Sequence, residues 1–254
     1  MKLNRTLMRA IDILQILSTT REGYTLAELS SILDSPKSSV FDIMKTLVYK
    51  NMVYEDTQSG ITKYKIGLQS FLIGNSYIHN IDYVQIAKND LISFANKMQA
   101  TTFMAVLDDN MVTYIYKYES EHSIITTANI GTRRSIHSAA LGKAMIAFMS
   151  EDEQREAIAN TQFTSYTSYT ITDVHQYLKE LEEVRLHGYA KDDRENALQQ
   201  IAAAAPLFNH ENKVVAAISC VGFYEENINL DDLGILVKEV ADKISIQLGY
   251  TPQS

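Results

Sequence analysis

Three short helical segments followed by two short strands fill the first 66 residues, and that order constrains the fold more than any other feature. Leu7, Ile11 and Leu14 recur at helical spacing beside Leu3, Ala10 and Leu17, so the first helix is expected to bury that face and to end within 18–23. Thr25-Leu26-Ala27-Glu28 reads as a capping box, with Leu26, Leu29 and Leu33 as the inward stripe of a short second helix. Asp34-Ser35-Pro36 breaks it, and Pro36 suits the first turn of a third helix reaching Tyr49. Val40, Ile43, Met44 and Leu47 fall at i, i+3, i+4 and i+7 and form its inner face. Met52–Glu55 and Lys63–Ile66 are expected strands joined by the turn-rich 56–60, a wing hairpin. Three helices with a tight break between the second and third, then a hairpin, is winged helix-turn-helix grammar.

On that reading the third helix presents Lys37, Ser38, Ser39, Phe41, Asp42 and Lys45 outward. Lys and Ser hold phosphates or base edges, Asp42 accepts from a cytosine amino group, and Phe41 touches a thymine methyl. Lys63 and Lys65, two apart on one strand, share a face that can meet phosphates. Thr25 joins the same candidate DNA-binding set. The competing reading is a small helical bundle with a solvated basic face.

The net charge of −8 argues against a nucleic-acid binder until it is divided along the chain. Residues 1–66 carry nine Lys/Arg and seven Asp/Glu; the remainder carries fourteen and twenty-four. A mildly basic head sits on an acidic body, and phosphate contact needs only local positive charge. At 254 residues the chain is long enough for two domains. No apolar run approaches the roughly 18 residues of a membrane span, no signal peptide is read, and the single cysteine, Cys220, fits a reducing cytoplasm.

The body changes pattern. Helices are expected over 67–80 and 83–99, a hairpin over 102–118 with its turn at Asp108-Asp109-Asn110, and a strand over 124–127. Helices follow at 139–149, from Ser150 onward, and from Thr172 or Asp173 to His187, the last stopped by Gly188. Strands at 201–207 and 214–222 and a terminal helix marked by Leu233, Leu236, Val237, Val240 and Ile244 complete an α+β layered domain with a mainly antiparallel sheet. The apolar 67–80 helix suits a dimer contact or packing on a neighbouring domain.

Catalytic and metal chemistry find little support. The six histidines (79, 122, 137, 175, 187, 210) make no short ligand pair. His137-Ser138 with Asp192 invites a Ser-His-Asp reading, but adjacent residues rarely aim at each other and no Gly-x-Ser-x-Gly elbow exists. A helix cap beside a packed histidine is the simpler reading, and Asp192-Asp193 alone reads as a solvated turn. No phosphate-cradling glycine loop is present, and no cofactor is expected.

Four segments in this order resemble the IclR family of bacterial transcription regulators: Leu7-Met8-Arg9-Ala10-Ile11-Asp12-Ile13-Leu14, Thr25-Leu26-Ala27-Glu28-Leu29, Ile136 through Ala144, and the stretch from His187-Gly188-Tyr189 through Ala204-Ala205-Pro206 to Ala216-Ala217-Ile218-Ser219. The resemblance implies a winged helix-turn-helix (1–66), a linker helix (67–82) and a GAF-like effector domain (83–254). It also implies a dimer or tetramer on palindromic operator DNA and a small-metabolite effector, an organic or sugar acid. Carried over, the effector pocket takes Ala140, Leu141, Asp192, Ala202, Ser219 and Val221, with Thr126 and Arg134 approaching and Arg134 as counter-charge. Ser138, just before a helix, adds the free backbone amides of a helix start, which favour a carboxylate. Ser219 and Val221 are two apart and share a strand face, opposite Cys220. Ala202 replaces the cysteine or polar residue of many relatives and Val221 a second serine, which points to a ligand with an apolar part. Asp42 stands where relatives usually carry a basic residue, which bears on operator sequence. The expected protein is therefore a cytoplasmic, non-catalytic, ligand-responsive repressor. The rivals are a small-molecule enzyme with a DNA-binding head and a body that only oligomerises.

Overall fold

The protein is described by a computed structural model that covers residues 3–57, 60–79, 82–121, 123, 128–226 and 228–251, with backbone alone at 75, 77–79 and 82. Its contacts divide into two units, Met1–Asn80 and Ile81–Ser254. Among the described residues no helix is long and apolar enough to cross a membrane.

The first unit runs α1 (Arg5–Ser18), α2 (Leu26–Ile32), α3 (Lys37–Tyr49), β1 (Val53–Asp56), β2 (Lys63–Ile66) and α4 (Leu68–His79). Thr25 and Glu28 close the expected capping box at the start of α2. Pro36 stands one place earlier than expected, as the N-cap of α3, its extended backbone (ψ 136°) turning the chain into the helix. The two strands pair antiparallel from Val53 opposite Ile66 to Asp56 opposite Lys63, and Tyr24 adds a single bridge to Tyr64. Leu29, Val40, Ile43, Met44 and Leu47 are buried as their spacing predicts.

The inner face of α1 is rotated from the expected one. Ile13 and Leu17 form the buried contact, with Ala10 and Leu14 partly covered, whereas Leu3, Leu7 and Ile11 are exposed. Periodicity finds an apolar stripe, but α1 carries apolar residues on more than one side and spacing alone cannot choose between them. On α4, Leu68, Phe71, Leu72 and Ile73 are likewise exposed.

The second unit opens with α5 (Asp82–Met98) and holds a six-stranded antiparallel sheet. Its strands are β3 (Thr101–Asp108), β4 (Met111–Glu119), β5 (Arg133–Ser135), β6 (Ala190–Asp193), β7 (Gln200–Phe208) and β8 (Val214–Phe223), in the order β5-β4-β3-β8-β7-β6. Between β5 and β6 run α6 (Ala140–Ile146), α7 (Glu151–Ala159) and α8 (Val174–His187); α9 (Leu230–Gln247) follows β8. α5 packs on β3, β4 and α9, and α9 on β6, β7 and β8; α6 packs on β6, β7, β8 and α8. The centre of the sheet is thus covered on both faces, which explains the run Ala202–Ala205. All four alanines are buried, and small side chains let helices approach from both sides.

Two strands escaped the sequence reading, β5 and β6. Both are edge strands of three or four residues, rich in charge, without the apolar alternation that marks a strand. Asp192-Asp193, read as a solvated turn, lies in β6, and Asp192 is buried. The helix expected over 139–149 stops at Ile146, where Phe148 N and Met149 N turn to i−3 carbonyls. Gly142 lets α6 press on the 136 segment, since a Cβ there would lie 2.5 Å from Ile136 Cα. The strand expected over 124–127 lies outside the described residues.

Candidate functional site

In the first unit the outward residues of α3 form one face. Lys37, Ser38, Phe41, Asp42 and Lys45 are exposed. The Lys45 ammonium stands 4.6 Å from the centre of the Phe41 ring, so these two act together. Ser39 is half-buried and accepts from Arg9 Nη1 of α1 at 3.3 Å. That brings Arg9 to the rim of the α3 face, a cation the sequence reading did not select because it sits two elements away. Tyr49 is also exposed on α3, 81% of its surface in solvent. Thr25 is committed to its cap: its hydroxyl donates to Glu28 Oε2 at 2.9 Å and accepts from Glu28 N. Lys65 is held by Asp56 at 2.7 Å, which leaves Lys63 as the less encumbered lysine of that strand pair.

In the second unit a cavity of about 200 Å³ opens between the sheet and the start of α6. Strand register builds its floor. Asp192 lies opposite Ala202, Ala202 opposite Val221, and Ser219 opposite Phe103, and directly opposed residues share a face. Ala140 and Leu141 form the roof and Arg134 of β5 reaches the wall. All seven expected positions other than Ser138 and Thr126, Arg134 among them, line this one cavity. β5 and β6 are opposite edges of the sheet; flat, five strand spacings of about 4.8 Å would part them by about 24 Å. That both line one small cavity means the sheet curls around it.

The cavity's polar groups differ in how they are satisfied. Asp192 is pushed up by burial, against hydrogen bonds from Asn196, the nearby Lys143 charge, and the amides of Glu195 and Asn196. Burial raises the Tyr114 phenol while Arg134 pulls it down, so the guanidinium faces that ring's hydroxyl. Ser219 Oγ is buried with no hydrogen-bond partner among the described residues, where a buried hydroxyl ordinarily has one. Lys143 of α6 is fully buried, its Nζ 2.5 Å from Glu195 and 3.1 Å from Glu180.

Ser138 is not where expected. It is fully buried, its Oγ donates to Asn196 Oδ1 at 3.1 Å, and it does not line the cavity; the N-cap of α6 is Ala139, with no side-chain cap. The ring of His137 also turns away from it. Nε2 lies 3.0 Å from the Thr164 carbonyl and so carries the hydrogen, leaving Nδ1 to accept from Ser135 Oγ at 2.6 Å. No proton path links His137 to Ser138, and the Ser-His-Asp arrangement is absent from these residues. Thr126 lies outside the described residues. Sequence reading missed Asn196, Gln200 and Tyr114, which line the cavity from the β6–β7 turn, the start of β7 and β4. No periodic signal marks a turn residue such as Asn196.

Residues 75–246 match the family described as bacterial transcriptional regulator IclR C-terminal, and residues 6–57 match the IclR helix-turn-helix domain. The chain belongs to the IclR family. It is a DNA-binding transcription regulator. An HTH-type transcriptional repressor AllR from Salmonella typhimurium (strain LT2) is 31% identical over 98% of this chain and 91% of its own. The transcriptional regulator KdgR of Escherichia coli (strain K12) is 28% identical over 96% and 93%. An IclR regulator of solved structure from Alicyclobacillus acidocaldarius is 26% identical, with a TM-score of 0.84 over 98% of this chain and all of that one. The IclR assignment unites the α3 face and the curled-sheet cavity in one kind of protein.

Proposed function

We propose that the curled-sheet cavity is an effector site and that its occupancy sets how α3 and the wing hold an operator. The observation that carries this is the cavity's chemistry: Arg134 on one wall, buried Asp192 on the floor, and an unsatisfied Ser219 hydroxyl beside the apolar pair Ala202 and Val221. Arg134 and the first amides of α6 suit a carboxylate, Asp192 and Ser219 suit a hydroxyl or N–H, and the strand residues suit an apolar middle. At about 200 Å³ the space holds a small organic or sugar acid and excludes a large one.

The DNA-contacting set is Lys37, Ser38, Ser39, Phe41, Asp42, Lys45 and Lys63, with Lys65 and Thr25 in supporting positions. In this reading residues 1–66 bind DNA, 67–82 link, and 83–254 sense the effector. The uncovered apolar residues Leu3, Leu7 and Ile11 of α1 and Leu68, Phe71 and Leu72 of α4 support a homo-oligomer. Two recognition helices of a dimer then enter successive major grooves about 34 Å apart. The protein acts in the cytoplasm, as a repressor and without catalysis. Ligand can shift DNA binding only by its differential affinity for the two arrangements.

The test is a DNA titration with the chain's own upstream region at two salt concentrations, against random DNA, with and without a panel of organic and sugar acids. Tight, salt-sensitive, competitor-resistant binding that one acid changes is the expected result. Binding no better than to random DNA, or turnover of a panel member, overturns it.

A further inference from the structure

The β6–β7 turn, residues 194–199, carries a hydrogen-bond arrangement that the effector reading does not use. Arg194 adopts φ +62°, the left-handed region that costs a non-glycine residue free energy. That conformation aims two successive amides at one atom: Glu195 N at 2.7 Å and Asn196 N at 3.4 Å both donate to Asp192 Oδ1. Asp192 Oδ2 accepts from Asn196 Nδ2 at 2.7 Å. The same amide donates to the Ser138 carbonyl at 2.7 Å, and Asn196 Oδ1 accepts from Ser138 Oγ at 3.1 Å. Every polar atom of the Asn196 side chain is committed, and both oxygens of Asp192 are held by N–H donors.

The turn is pinned from two sides. Outside, the Arg194 guanidinium lies 4.0 Å from the ring centres of both Tyr169 and Tyr224 and pairs with Asp193. Inside, Glu195 pairs with Lys143, and its carbonyl accepts from Thr170 Oγ1 at 2.6 Å. Strain at Arg194 persists because these contacts over-determine it.

We propose that Asn196 is a positioning residue for ligand selection: it fixes Asp192 as an acceptor facing the cavity, so that acids bearing a hydroxyl or N–H are bound in preference to plain acids of the same skeleton. This rests on the effector reading of the cavity. A carboxylate gripped by three N–H groups keeps its one remaining lone pair for a ligand donor, and such hydrogen bonds favour its charged form. The charged and titratable groups around Asp192 are Lys143 from α6, Tyr114 from β4, Glu195 from its own turn and Arg134 from β5 across the cavity. Lys143 works in the same direction as Asn196, and burial works against both. Removing the Asn196 amide therefore lets Asp192 protonate more readily and releases Oδ2 from its fixed orientation.

The experiment uses the full chain and the variants Asn196→Ala and Asn196→Leu, the second neutral and close to asparagine in shape, in case the first does not fold. Carboxyl 13C titration, with the Asp192 resonance assigned by its loss in Asp192→Asn, reads the proton affinity of Asp192 directly. Binding is read by thermal shift with two matched pairs, 4-hydroxybenzoate with benzoate and lactate with propionate. Asp192 is expected to bind its proton at least tenfold more tightly in both variants. The parent is expected to prefer the hydroxylated member of a pair, and the variants to lose that preference. An unmoved Asp192 midpoint overturns the positioning role, since a merely structural Asn196 would leave it in place. A moved midpoint with equal binding of both pair members to the parent overturns the selection. Silence of all four acids on the parent, with the midpoint moved, counts against the effector reading for acids of this kind and removes the selection with it.

Discussion

The ammonium of Lys143 meets the carboxylate of Glu195 at 2.5 Å in the interior of the C-terminal unit, with side-chain exposures of 0% and 8%. The pair ties α6 to the β6–β7 turn, and Glu180 of α8 adds a second carboxylate at 3.1 Å. Glu195 Oε2 is buried and has no hydrogen-bond partner among the described residues. Burying two charges is costly, and breaking such a pair leaves one of them uncompensated. Lys143→Met is expected to destabilise the C-terminal unit by about 3–5 kcal/mol, and Lys143→Met with Glu195→Gln by less than the single substitution. Urea unfolding of the four-protein cycle measures this. Equal stability of the single variant and the parent would show that the pair holds nothing in place.

The same glutamate makes stability depend on pH. Burial pushes Glu195 up to about 7, against the opposing pull of Lys143, from an ordinary 4.5. Its folded-state value is raised, so the folded protein holds more protons than the unfolded chain between those values. The stability linked to that proton is full below about pH 4.5 and is lost as pH rises through about 7. The parent should lose up to about 1.4 kcal/mol per pH unit from this group across that window, and Glu195→Gln should flatten the slope. Unfolding curves at half-unit steps from pH 5 to 8 would expose a slope that Glu195→Gln leaves untouched.

Charge on the DNA-facing side has unequal worth. Lys37→Ala and Lys45→Ala should each weaken operator and random DNA alike and lower the salt slope of binding by about 1. Lys65→Ala should change it less, because Lys65 is already paired with Asp56. Asp42→Asn should alter base preference while sparing the slope. Titrations at three or more salt concentrations separate these; an equal slope change for Lys65 and Lys37 contradicts the ordering.

Within the cavity, Arg134→Ala should weaken binding of a responsive acid by about 2 kcal/mol, the scale of a hydrogen bond to a charged group. DNA binding without acid should be kept. Val221→Ser should shift preference toward more polar acids. Calorimetry with the acid selected from the panel reads both, and unchanged affinity in Arg134→Ala would remove the counter-charge from the account.

Sequence periodicity reached the helix-turn-helix because its inner residues, Val40 through Leu47, repeat with the helix and little else competes. It failed at α1, where Leu7 and Ile11 offered a second apolar side, and at β5 and β6, where charge hid edge strands. The floor of the cavity came from the family resemblance, and the two-residue alternation of a strand agreed only that Ser219 and Val221 share a face. Asn196 was not legible, because its role comes from a left-handed turn three residues away from any periodic segment. Ser138 misled for a local reason: a serine before a helix usually caps it, but here Asn196 captures its hydroxyl and the cap passes to Ala139.

Arg134 and Asp192 belong to the first and last strands of one curled sheet, yet they border a single small space. The reach between them is therefore set by curvature, a property of all six strands together. A change of side-chain size on the face of the sheet turned away from the cavity alters the arc, and with it that reach, without touching either charge. Across such proteins the length of molecule that fits can drift through changes in the middle of the sheet, at positions that never meet the ligand.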